Sequence, residues 1–215
     1  MLKEEKNLNK TTNQDTLSFK EIKPKIMYYG TPTLLLNTLN EDGTTNISPM
    51  SSSWALGDCI VLGIGLGGKA IENLERHKEC VINLPSPNLW ENVEKISSYT
   101  GKKDTPSYKQ EIGFTYKKDK YESSELTPLE SKTVLPTRIK ECPIQMEALV
   151  KNIRIPEYNP LFAIVEAQVL HFHAEDRIIQ NEIYIDPSKW SPLIYNFRHY
   201  FELGKEVGKT FRSET

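Results

Sequence analysis

Three short stretches hold the residue types that could do chemistry: Asn46-Ile-Ser-Pro-Met-Ser-Ser-Ser-Trp54, Gly67-Gly-Lys-Ala-Ile-Glu-Asn-Leu74 and Glu79-Cys-Val-Ile-Asn-Leu-Pro85. In the second, Gly67 and Gly68 free the backbone to approach a ligand closely. The helix that should follow offers unpaired N–H groups and a partial positive charge, and Lys69 adds a full one. Together these suit a phosphate. The stretch is not a Walker loop, because GxxxxGK[ST] is absent, and it is not a GxGxxG fingerprint. A glycine-rich turn with a solvated lysine uses the same residues. In the first stretch, Ser51, Ser52 and Ser53 with their backbone amides could bond the polar edge of a flat heterocycle. Trp54 or Met50 could cover its face. An ordinary polar loop with one half-buried tryptophan fits that stretch as well.

Other reactive residue types are sparse. His171 and His173, two apart on a strand, face one side, but no third ligand has a matching spacing, so no metal site is read. His77, near a helix C-terminus, suits the helix dipole, and His199 lies in an aromatic tail. Cys59, Cys80 and Cys142 are odd in number and show no CxxC spacing, which speaks against a disulfide framework or a zinc site and for buried, reduced thiols.

The elements that must position these residues follow from pattern. The 215 residues are of single-domain length, and the net charge of −2 comes from interspersed charges of both signs. That balance offers no basic face for nucleic acid. Met1 to Lys20 is polar and lacks the apolar core of a signal peptide. The apolar run Cys59 to Leu66 is too short to span a bilayer, so the expectation is a soluble, cytoplasmic chain without membrane partners. Residues 1–22 read as a polar arm and residues 23–215 as a single domain.

Within that domain, Thr33 to Leu39 and Thr44 to Ser48 form a strand pair around Asp42-Gly43, a hairpin step. Cys59 to Leu66 reads as a strand buried on both sides. Its Gly63 and Gly65 present one bare face that a flat group could approach. A helix is expected over Ala70 to His77, a strand over Cys80 to Leu84, and a second helix after Ser86-Pro87, with Leu89, Val93 and Ile96 inward and Gly101 just past its end. Gly101 to Lys120 reads as a loop or lid. Ile144 to Val150 alternates as a half-buried antiparallel strand, and Leu161 to His173 carries the apolar face Leu161, Ala163, Val165, Ala167, Val169. In the tail, Leu193, Phe197 and Phe201 lie four apart, suggesting a short helix ended by Gly204. About six strands without regular alternation of helices describe a mainly β fold, a small antiparallel barrel with peripheral helices.

With these stretches in view, the sequence resembles the flavin reductase-like family of FMN-binding split β-barrels, including flavoredoxin-type proteins. The matching segments are Tyr28-Tyr-Gly-Thr-Pro32, Leu39 to Asn46, Ser48 to Trp54, Lys69 to Leu74, Glu79 to Pro85, Glu141 to Ala148 and Pro192 to Phe201. The resemblance implies a homodimer with FMN at its interface. Pro49, Met50, Ser51, Ser52, Ser53 and Trp54 would meet the isoalloxazine and ribityl chain. Gly67, Lys69 and Ala70 would hold the phosphate. Asn83 would sit at a strand end near the ring, and Arg198 and Tyr200 would close the site. Family members often carry Thr after the lysine, where this chain has Ala70, which removes one hydroxyl donor and leaves the backbone amide. The implied activity is an oxidoreductase that reduces flavin, or passes electrons through FMN, with NAD(P)H as donor and a small-molecule substrate. A carrier or sensor without turnover is the alternative. A pyridoxamine phosphate oxidase-like enzyme is disfavoured, because the basic residues it calls for are not evident.

Overall fold

Side-chain alternation decides how this chain folds. In a computed structural model, which describes residues 17–213, the run Leu34-Leu35-Leu36 is buried throughout, yet its members enter two different cores. Leu34 and Leu36 join one cluster with Ile60, Leu62, Ile82 and Val165. Leu35 points the other way, to Ile47, Val93, Ile96 and Ile139. A strand covered on both faces reads as a continuous apolar run.

The strands are β1 (Tyr29–Pro32), β2 (Leu34–Leu39), β3 (Thr45–Met50), β4 (Ser53–Leu56), β5 (Cys59–Gly65), β6 (Glu79–Leu84), β7 (Ile144–Arg154), β8 (Phe162–Ala174), β9 (Ile194–Asn196) and β10 (His199–Phe201). Seven of them form one sheet in the order β3-β2-β6-β7-β8-β5-β4. All its pairings are antiparallel, and it curls into a half-barrel. A smaller sheet, β1-β9-β10, stands beside it. Helix α1 (Lys69–Arg76) covers the first cluster through Ala70, Ile71 and Leu74. Helix α2 (Trp90–Ser97) covers the second through Val93 and Ile96. Two short helices follow, α3 (Ser107–Glu111) and α4 (Lys120–Ser124). The mainly β split barrel with peripheral helices is therefore the fold found.

Several expectations change. Strand β5 is buried on one face only: Ile60, Leu62 and Ile64 are inside, while Cys59, Val61, Gly63 and Gly65 are part-exposed or exposed. Strand β7 is the reverse, because its polar residues are buried too. Gln145 donates to the Ile139 and Cys142 carbonyls, each at 2.9 Å, and Glu147 is fully buried. Ser86 stands at the N-cap with Pro87 after it, as expected, but of a 3-10 turn over Pro87–Leu89 that runs into α2, and its hydroxyl makes no capping bond, accepting instead from Trp190 Nε1 at 3.0 Å. Gly101 is not that helix's end either, since α2 closes at Ser98. The loop after it is tied down by α3 and by a parallel bridge from Tyr99–Thr100 to Thr115–Tyr116.

The expected tail helix is replaced by the β9–β10 hairpin, and residues 202–213 carry no strand or helix. A spacing of four could not distinguish the two, and Leu193 is buried while Phe197 and Phe201 are half-exposed. Of the polar arm expected over residues 1–22, residues 1–16 lie outside the described ones, and the remainder is exposed without regular structure. Cys59, Cys80 and Cys142 are free thiols, the last two buried.

Candidate functional site

The corner between β3 and β4, the start of α1 and the stretch from Ser97 to Lys120 enclose a cleft of about 400 Å³. One wall is Ser48, Pro49, Met50, Ser51 and Ser52. The Ser52 hydroxyl shares a 2.7 Å hydrogen bond with Tyr28, and its carbonyl accepts from Gly63 N at 2.8 Å. This close approach explains one of the two glycines in β5. A Cβ on Gly63 would lie 3.1 Å from Ser52 Cβ, so the position is filled by the wall itself. A Cβ on Gly65 would meet nothing within 4 Å, and Gly65 lines the open cleft. The bare face foreseen in the sequence is thus half occupied.

Tyr28, Tyr195 and Tyr200 line the cleft. Tyr28 and Tyr195 pack edge-on with centroids 5.5 Å apart, and Tyr195 and Tyr200 lie 5.8 Å apart. The Tyr200 hydroxyl donates to Glu94 at 2.9 Å, and burial followed by this neighbouring carboxylate raises its pKa. Thr33 also lines the cleft and is almost fully buried; its hydroxyl is one of the few buried side-chain atoms with no hydrogen-bond partner.

The cleft also meets the start of α1. Gly68 and Ala70 line it, and the first turn of a helix leaves its amides free of intrahelical partners. Gly67 does not face the cleft: it has φ +75°, and a Cβ there would lie 2.9 Å from the Tyr108 hydroxyl, which donates to Leu66 O. Lys69 lines the cleft with its stem, but its ammonium is committed elsewhere. It donates to both Glu41 oxygens at 2.7 and 2.9 Å and to Glu72 at 2.7 Å. Burial pushes Lys69 down, and the bonds to Glu41 and then Glu72 outweigh it, so that its pKa is raised. Two further lysines, Lys109 and Lys120, line the same cleft.

Of the residues singled out from sequence, the structure gathers Pro49, Met50, Ser51, Ser52, Lys69, Ala70 and Tyr200 around one cleft. The others stand elsewhere. Ser53 and Trp54 line a groove on the outer sheet face with Val61, Arg154, Ile164 and Glu166. Asn83 is fully buried, donates to Leu35 O at 3.0 Å and accepts from Ile139 N at 2.9 Å, so its amide ties β2 to the loop at 139. Arg198 lines a neighbouring hollow with Trp90, Glu94, His199 and Phe201, separated from the cleft by Tyr200. His173 Nε2 is 2.8 Å from Glu147, and among the described residues no three His, Cys, Asp or Glu side chains are grouped to hold a metal ion. The residues that sequence reasoning passed over are Thr33, Tyr195, Lys109 and Lys120. Tyr195 falls inside a matching segment of the tail, whereas both lysines sit in a charge-rich stretch that reads as solvated.

Comparison with known proteins decides the family. The pattern of the flavin reductase like domain matches residues 26–204. The chain belongs to the flavin reductase-like family. That membership places it among flavin-related oxidoreductases. The uncharacterized protein YdfE of Bacillus subtilis (strain 168) is 78% identical over 202 residues, covering 94% of this chain and 98% of YdfE. Flavoredoxin from Methanosarcina acetivorans superimposes with a TM-score of 0.74 at 15% identity, over 92% of this chain and 97% of that one. A structure from Shewanella frigidimarina NCIMB 400 described as a flavin reductase with split barrel domain gives a TM-score of 0.68 at 16% identity, over 85% of this chain and 86% of that one. At such identities these two structures speak for the shared fold. Among the described residues no helix is long and apolar enough to cross a membrane.

Proposed function

We propose that the chain binds FMN in this cleft and moves electrons through it as a cytoplasmic homodimer, with NAD(P)H as donor and a small molecule as acceptor. One observation carries the reading: a single cleft, of a volume within the roughly 300–1,000 Å³ of small-molecule sites, is lined both by aromatic rings and by a helix start with lysines. A ligand with a flat ring and an anionic end matches both. The residues present fit such a group. Gly65 leaves the backbone open to a close approach, the Thr33 hydroxyl is unpartnered, and the first-turn amides of α1 supply donors even though Ala70 contributes no hydroxyl.

When bound, the flavin supplies the redox chemistry itself. The chain orients it. The Tyr28–Ser52 hydrogen bond fixes the wall, and Glu94 holds the Tyr200 hydroxyl. The dimer reading is supported by the outer face of β4 and β5, where Trp54 is 59% and Leu56 76% exposed.

The test is direct. The purified protein should be yellow, or should quench added FMN fluorescence and gain thermal stability from it. A colourless protein on which FMN has neither effect overturns the reading. Anaerobic NADH and NADPH should bleach the bound flavin; colour that persists with both donors leaves the carrier reading in its place.

A further inference from the structure

We propose that Lys109 and Lys120, not Lys69, are the cations that meet the anionic end of the ligand and set a preference for a phosphorylated flavin. The inference rests on the flavin reading of the cleft. Its starting point is that the cleft's three lysines are in different electrostatic states. Lys69 is neutralised by Glu41 and Glu72, and Glu72 is further occupied by Lys102 at 3.1 Å. Lys69 therefore serves as a strut between the β2–β3 turn and α1.

Lys109 and Lys120 have no such counterion: among the described residues neither takes part in an ion pair. Lys109 Nζ lies 3.4 Å from the Gly67 carbonyl and 3.5 Å from where a Cβ on Gly68 would stand, directly at the start of α1. It adds a full charge to that helix's unpaired amides. Lys120 is 2% exposed and lines the cleft, and its ammonium donates to the Ile47 carbonyl at 2.7 Å. A buried cation held by one carbonyl is costly unless an anion completes its surroundings. Each of the two also has a cationic neighbour that disfavours its charge. Burial, with Lys109 second, brings the Lys120 pKa down to about 7, and burial, with Lys102 second, lowers that of Lys109. An anion beside both relieves burial and repulsion together. Gly101 seats the stretch that carries them: a Cβ there would collide with Asn46 Oδ1 and come within 3.1 Å of Lys69 Cγ.

The experiment compares FMN with riboflavin, which has the same ring and no phosphate, by fluorescence titration of the full chain. The variants are Lys109→Met, Lys120→Met and Lys69→Met. The expected result is that Lys109→Met weakens FMN binding about tenfold or more, the scale of one charge-assisted hydrogen bond, and leaves riboflavin within about twofold. Lys69→Met should reduce the FMN-over-riboflavin preference less than Lys109→Met. An unchanged preference in Lys109→Met, equal losses for both flavins, or a larger loss in Lys69→Met overturns the proposal. Lys109 is near the surface, so this arm stands even if Lys120→Met fails to fold. Should the wild-type chain bind neither flavin, the flavin reading falls and the lysines are judged separately with inorganic phosphate. Protection of Lys109 from acetylation then supports the anion site, and equal labelling of Lys109 with and without phosphate refutes it.

Discussion

Two glycines two residues apart in β5 show how far a residue type can be read and where it stops. Both look in the sequence like a bare surface. Gly63 leaves room for the Ser52 side chain, whose Cβ would stand 3.1 Å from a Cβ there, whereas Gly65 faces the cleft with nothing within 4 Å. Gly63→Val should therefore cost stability, about 1–3 kcal/mol for overpacking, measured as a lower urea midpoint. Gly65→Val should leave stability within about 0.5 kcal/mol and weaken flavin binding in the same titration. Asn83 teaches the converse. A polar residue at a strand end looks like a ligand, but its amide is spent on two backbone groups that the sequence places 48 and 56 residues away. The β9–β10 turn is a third case. Phe197 and Arg198 have φ of 44° and 70°, between Asn196 and His199, which pair across the hairpin. Such a turn favours Asn-Gly, and side chains held in the left-handed region cost about 1 kcal/mol each. The double change Phe197→Asn, Arg198→Gly should raise the melting temperature, corresponding to about 1–2 kcal/mol. A fall would mean that the two side chains contribute contacts outweighing this strain.

At the scale of elements, the six strands β2, β3, β5, β6, β7 and β8 were legible, but β4, the β9–β10 hairpin and the surroundings of the strands were not. The period of two in β7 was correct, but its second face could not be recognised as buried, because Gln145 and Glu147 are polar. They are buried because they serve as hydrogen-bond partners for a loop. Glu147 accepts from Lys132 N at 2.7 Å, from Thr133 N at 2.8 Å and from the Thr133 hydroxyl at 3.0 Å, with His173 at 2.8 Å and Arg138 at 3.9 Å. Burial pushes the carboxyl up, but the bonds from Lys132, Thr133 and His173 outweigh it and hold its pKa at about 2, against 4.5. A depressed carboxylate contributes stability that is present above its unfolded pKa and is lost as the pH falls from about 4.5 through about 2. The total is on the order of 3 kcal/mol. Urea midpoints at about pH 6 and about pH 3 should differ by part of this in the wild type. Glu147→Gln should be less stable at the higher pH and change less between the two. An equal change in both would show that other carboxylates govern the acid limb. The stretch from Gly101 to Lys120 was legible only as an irregular lid. Its lysines enter the cleft through a parallel bridge and a glycine seated on Asn46, contacts between segments far apart that no local pattern records.

Across the whole molecule, the two sides of the curled sheet are unequal, and that inequality bears on assembly. One side is filled by the cluster under α1. The outer side of β4 and β5 presents Trp54 and Leu56 at 59% and 76% exposure, beside Val61, Ile164 and an Arg154–Glu166 pair at 4.0 Å. Strand β4 is also a sheet edge, with one row of backbone groups unpaired. Tryptophan and leucine on an edge, rimmed by one ion pair, have the composition of an interface core inside a polar rim. If this face joins two copies, a charge placed at its centre should separate them. Trp54→Glu in the full chain should shift the mass seen by light scattering from dimer to monomer, with unchanged circular dichroism, because the residue lies outside both cores. Flavin affinity in that variant carries a second answer. The cleft wall at Ser51 and Ser52 leads straight into β4, so loosening the edge should weaken FMN binding along with assembly. A wild-type chain that is monomeric across the measured concentrations would remove the dimer.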